Sequence, residues 1–148
     1  MLCLPARDEA DEIAGRMLAQ LLAIKGCVVE AVSVTALASE MVDLVEQRKA
    51  DVVCISAMPP AAAAHARYLC KRLQGRFPDA HLIVGLWSAS GDLNKMKERI
   101  GCGATTAIVG TLAAAQEKIH GLLQPLLHRT EQPDPQDVGQ MVLEAAHQ

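Results

Sequence analysis

Five short apolar runs recur along the chain, each followed by a stretch of helical periodicity. That alternation constrains the fold more than any single residue does. The clearest run is Val52-Val53-Cys54-Ile55, unbroken and rich in β-branched residues, as in a strand buried on both faces. It closes in Ser56-Ala57-Met58, and Pro59-Pro60 then stops any ladder. Leu2–Leu4, Val28–Val34, His81–Trp87 and Thr105–Val109 supply the other four strands. The first helix opens on Glu9, Asp11 and Glu12, where the positive end of its dipole favours acids. It carries Ile13, Met17, Leu18, Leu21 and Leu22 as its apolar stripe and ends at Gly26. Leu37, Met41, Leu44 and Val45 mark a second helix, and Ala61 to Arg76 a third. Leu93, Met96 and Ile100 line a short fourth, and Leu112, Ala115, Ile119, Leu122, Leu123 and Leu126 a fifth.

Right-handed crossovers leave few topologies for five strands and five helices. The expected one is an α/β, flavodoxin-like, three-layer, doubly wound parallel sheet in strand order 2-1-3-4-5. Residues 1–128 read as that domain and 129–148 as a linker and C-terminal tail, because Thr130 to Asp137 holds two prolines and little apolar matter. The abrupt entry into the first strand reads as a module cut from a longer polypeptide. In this order the switch point lies between the first and third strands. Arg7 and Asp8 should therefore face Ser56, Ala57 and Met58 across a crevice, with Gly85 to Ser88 and Gly110-Thr111 extending the rim. The nine candidate ligand contacts are Arg7, Asp8, Ser56, Ala57, Met58, Gly85, Trp87, Gly110 and Thr111.

Composition narrows what the crevice holds. Apolar residues make up 51% of the chain but aromatics only 2%, so the core is aliphatic and offers few platforms for stacking bases. The net charge is −3, and no basic cluster is long enough to follow a phosphate backbone, which argues against nucleic acid as a partner. The five cysteines include no C-x-x-C pair. They read as small hydrophobes in a reducing compartment, with a disulfide or metal framework as the competing reading. No run of 18 apolar residues and no signal peptide is present, so the expected location is cytoplasmic, without direct membrane insertion.

The first loop, Pro5-Ala6-Arg7-Asp8-Glu9, has no glycine to admit a pyrophosphate and no hydroxyl for a flavin phosphate, and its acids repel both. A phosphoacceptor domain needs an aspartate where this chain has Ser56. Ser56 itself lacks a nucleophile elbow, and no base stands near it in sequence. No two histidines share one helix at i, i+4 spacing; His65 is the one nearest the crevice. The expectation is therefore no catalytic residue, no metal site and no enzyme.

From Leu2 to about Leu123 the chain resembles the cobalamin-binding domain of methionine synthases, methylmalonyl-CoA mutases and related corrinoid sensors. That family shows D-x-H-x-x-G after its first strand, S-x-L after its third and a glycine pair after its fourth. Here Asp8-Glu9-Ala10 takes the D-x-H place, Ser56-Ala57-Met58 looks like S-x-L, and Gly85-Leu86 sits at the glycine pair. The resemblance implies a cobalamin-binding-like fold. The departures imply lost ligation, since Ala10 has no nitrogen for cobalt and Ile13 stands at the motif's glycine. Leu86 and Trp87 add bulk where the nucleotide tail would lie, Trp87 being either a plug, the favoured reading, or a stacking surface. No cofactor is expected on this basis, with cobalamin as the exception to test. A second resemblance, carried by Pro5 to Glu12 and Met17 to Leu22, is to a cytosolic extension of some permeases of the autoinducer-2 exporter-like family. It implies a regulatory module and, as partner, a membrane domain of the same polypeptide; a homo-oligomer stays open. The alternative is a sensor for a small molecule, a histidine-free corrinoid or a nucleotide-like ligand.

Overall fold

The computed structural model describes residues 1–130, so the expected linker and tail lie almost wholly outside the described residues. The elements run β1 (Leu2–Pro5), α1 (Glu9–Ile24), β2 (Glu30–Ala31), α2 (Ala38–Gln47), β3 (Val52–Ala57), α3 (Ala62–Arg76), β4 (His81–Leu86), α4 (Leu93–Ile100), β5 (Thr106–Val109) and α5 (Leu112–Thr130). The five strands form one parallel sheet in the order β2-β1-β3-β4-β5. The flavodoxin-like expectation stands. β3 is buried over its whole length, as its unbroken apolar run requires.

Alternate residues of β3 feed two cores. Val53, Ile55 and Ala57 pack beneath α2, α3 and α4, with Leu69, Leu73 and Ile100. Val52 and Cys54 pack beneath α1 and α5, with Leu18, Leu22, Ala115 and Ile119. Cys3 and Cys54 pair across the β1–β3 register, and the Cys54 thiol is pushed well above its ordinary pKa, first by the hydrogen bond with Cys3 and then by burial. Both are the small buried hydrophobes expected. Cys70 and Cys102 are not: they form a disulfide joining α3 to the segment after α4.

Two other expectations need correction. β2 is only Glu30–Ala31 rather than Val28 to Val34, because an edge strand has one neighbour and β1 offers it only Leu2 and Cys3. On α1 the core face is Ala14, Gly15, Leu18 and Leu22, while Ile13 and Met17 are 53% and 50% exposed. The reason is distance. A Cβ on Gly15 would sit 3.0 Å from Cys3 Sγ and 3.7 Å from the Ser56 Cβ, so the helix comes down onto the sheet along its small residues. The bulky pair beside them is turned outward.

Candidate functional site

The carboxyl edge of the sheet is organised by two adjacent acids in the first turn of α1. Asp8 caps the helix by accepting from the Asp11 amide at 3.1 Å, and Asp11 completes the capping box by accepting from the Asp8 amide at the same distance. Asp11 is 1% exposed. Its carboxylate also accepts from the Arg7 amide at 2.8 Å and from the Met58 amide at 2.6 Å. One side chain thereby ties the loop after β1 to the loop after β3, beside a direct Ala6 N–H to Ser56 carbonyl bond of 2.9 Å. Glu12 does the same for β2. It accepts from the Val34 amide at 2.8 Å and is held by Arg16 at 2.6 Å. The backbone donors that an anionic ligand would use at these three strand ends are already committed to the chain's own carboxylates.

Ser56 is fully buried. Its hydroxyl donates to the Asp11 carbonyl at 2.6 Å and accepts from Trp87 Nε1 at 2.7 Å. The indole that makes this bond folds back over β4, and a Cβ on Gly85 would overlap its ring. Trp87 is 4% exposed. Gly85 therefore leaves room for the protein's own indole, on the α1 and α5 side of the sheet.

Beside that indole lies a cavity of about 550 Å³, framed by α1, the ends of β3, β4 and β5, and the start of α5. Of the nine candidate residues it takes in Met58, Trp87, Gly110 and Thr111. The other five lie elsewhere. Asp8 is a helix cap, Ala57 is buried under the opposite layer of helices, and Ser56 and Gly85 lie beneath the indole. Arg7 reaches to the α3 side, its guanidinium 2.8 Å from His65 Nε2, and no Arg7–Asp8 ion pair forms among the described residues. The wall also takes in Ser88, read from sequence as part of the rim, and Ala10 and Ile13, read as motif positions; sequence reasoning missed Ala14, Met17 and Leu112 there, and it missed Asp11. The D-x-x-D spacing of Asp8 and Asp11 carried the signal for the last of these.

Two residues thought to crowd the ligand space do not. Leu86 belongs to the core under α2, α3 and α4, because successive strand residues alternate faces. Ile13 flanks the cavity half-exposed instead of filling it. Trp87 alone occupies the space. The glycine of close approach on α1 is Gly15, so an H-x-x-G count taken back from it ends at Glu12, not Ala10. Neither position carries an imidazole. Among the described residues no group of three His, Cys, Asp or Glu side chains is placed to hold a metal ion. No helix among them is long and apolar enough to cross a membrane.

A doubly wound parallel sheet with an occupied slot over the β4 glycine and a cavity at its carboxyl edge defines a flavodoxin-like α/β class of domain. The chain belongs to the B12 binding domain family, which it matches over residues 2–118. A solved cobalamin-binding protein from Desulfitobacterium hafniense superimposes on 80% of this chain with a TM-score of 0.62 and 14% identity. The chain spans 57% of that protein's length. No curated protein matches it.

Proposed function

We propose that this chain is a non-catalytic regulatory or interaction domain that keeps the B12-binding fold without holding cobalt through a histidine. The observation that carries the reading is the Trp87 indole, lodged over Gly85 and hydrogen-bonded to Ser56. It fills the slot between sheet and α1 that the resemblance assigns to a nucleotide tail, and it is anchored there, so the residues present do not fit a histidine-ligated cobalamin. Both placements of the motif point the same way, since Ala10 cannot coordinate and Glu12 is saturated by Val34 and Arg16. His65 lies on α3, under the opposite layer, and is engaged by Arg7.

Support for a non-catalytic role is chemical. Ser56 donates to a backbone carbonyl and has no base beside it, while Asp11 and Glu12 are consumed in accepting amides. The same saturation speaks against a nucleotide-like ligand at this edge. The phrases Pro5 to Glu12 and Met17 to Leu22 make a membrane transport protein the proposed parent, with this domain on its cytoplasmic side. Family membership favours one second reading, a sensor that takes a corrinoid without histidine ligation.

The test is a visible-absorption titration with hydroxocobalamin on the unmodified protein and on Trp87→Ala combined with Glu12→His. The expected result is no spectral change in the first and a histidine-type change in the second. A histidine-type change in the unmodified protein, lost in His65→Ala, overturns the proposal. Cobalamin that co-elutes without such a change selects the histidine-free sensor.

A further inference from the structure

The cavity beside Trp87 has no titratable side chain in its wall. Ala10, Ile13, Met17, Met58, Trp87 and Leu112 make it apolar, and the only side-chain hydroxyls on its rim are Ser88 and Thr111. Thr111 is partly committed, its hydroxyl accepting the Ala114 amide at 3.1 Å as α5 begins. Charged ligands lose strongly on entering such a place, because an ion stripped of water finds no opposite charge and few donors. The Arg7, Asp8 and Met58 amides that could have served an anion face Asp11 instead. At about 550 Å³ the space falls within the range of small-molecule sites, roughly 300–1,000 Å³.

We infer that this cavity is a binding site for a neutral, largely apolar small molecule, seated beside Trp87 with the half-exposed Ile13 and Met17 in its wall. The inference rests on the regulatory reading above and names the ligand class of that domain. Two structural features shape it. Ile13 and Met17 are half-exposed on α1, one turn apart, and leave apolar surface at the mouth that nothing in this chain covers among the described residues. Ser88 holds a positive φ of 59° and its amide donates to the Gly110 carbonyl at 3.2 Å, so the rims of β4 and β5 are fixed together. Such a site discriminates by charge: it accepts a neutral apolar molecule and rejects the same molecule bearing an anion.

Two dyes of matched shape separate these cases. N-phenyl-1-naphthylamine is neutral, and 8-anilinonaphthalene-1-sulfonate is its sulfonated counterpart. Trp87 is the only tryptophan of the chain, so quenching of its emission with transfer to the dye reports binding at this wall. The expected result is saturable 1:1 binding of the neutral dye, with the sulfonate at least tenfold weaker. Met17→Glu, at an exposed position that circular dichroism should show folded, weakens the neutral dye at least tenfold. Leu37→Glu, at the exposed apolar residue that precedes α2, leaves it unchanged. Equal binding of the two dyes, or neutral-dye binding indifferent to Met17→Glu, overturns the inference. So does exclusion of the dye in a dimer that Met17→Glu dissociates, since the occupant of this face is then a second copy. Dye results that fail while hydroxocobalamin leaves no histidine signature sink the cavity alone; a histidine signature sinks the domain reading even if the dye binds.

Discussion

Two neighbouring places on the carboxyl edge of the sheet have opposite fates. At the β1–β3 switch point, where an open α/β sheet usually places its ligand, the loops are laced together by Asp11 and by the Ala6–Ser56 backbone bond. What remains on its α2 and α3 side is a cleft of about 100 Å³ beside Arg7 and Tyr68. Toward β4 and β5, between α1 and α5, the edge opens into about 550 Å³ of apolar space. The first place has carboxylates where a ligand's anionic groups would sit, and its amides are satisfied from within. The second has an indole anchored in its depths and nothing charged in its walls. A topology rule thus locates the edge, but side-chain chemistry decides which part of the edge is free.

The largest blow to this comparison should come from Asp11→Ala. It removes one acceptor from three backbone amides, two in the first loop and one after β3, and each orphaned buried donor costs about 1–3 kcal/mol. Partial access of water to them lowers the sum, so the expected loss is about 3–5 kcal/mol in urea unfolding. A loss below about 1 kcal/mol would mean that the switch point is not held by this carboxylate. Trp87→Phe is milder. The ring volume is largely kept while the bond to Ser56 goes, for an expected loss of about 1–2 kcal/mol by the same measurement. No change at all would show the indole to be packed but not anchored. Arg7→Ala should do least, about 0.5 kcal/mol or less, because the Arg7–His65 contact is exposed. A larger effect would move the important contact to the α3 side and reverse the contrast drawn here.

Sheet order, strand count and the buried course of β3 were legible because hydrophobic runs and crossover handedness report them directly. The extent of β2 was not, since Val28, Val29, Val32 and Val34 mark β propensity but not how much partner β1 can offer. The face of α1 failed for a related reason. Periodicity weights Ile13 and Met17 above Ala14 and Gly15, although closeness to Cys3 and Ser56 favours the smaller pair. Of the candidate contacts, Met58, Trp87, Gly110 and Thr111 lie in the cavity wall, whereas Arg7, Asp8, Ser56, Ala57 and Gly85 lie elsewhere, beside a switch point that the chain itself closes. The D-x-x-D spacing announces the cap that Asp8 and Asp11 form, but nothing in a linear sequence announces that Asp11 also accepts the Met58 amide of a second loop.

The brevity of β2 has a consequence for how the molecule keeps company. An outer strand normally offers a ladder of unpaired amides and carbonyls to any passing chain, and long apolar ones invite sheet-to-sheet growth. Here the outer ladder is two residues long, and one of them, Glu30, carries a charge clasped by Arg48 at 2.9 Å. Val28, 88% exposed, lies just outside that ladder instead of within it. Shortening the border strand makes this side of the sheet a poor template for aggregation, even though valine-rich sequence runs along it.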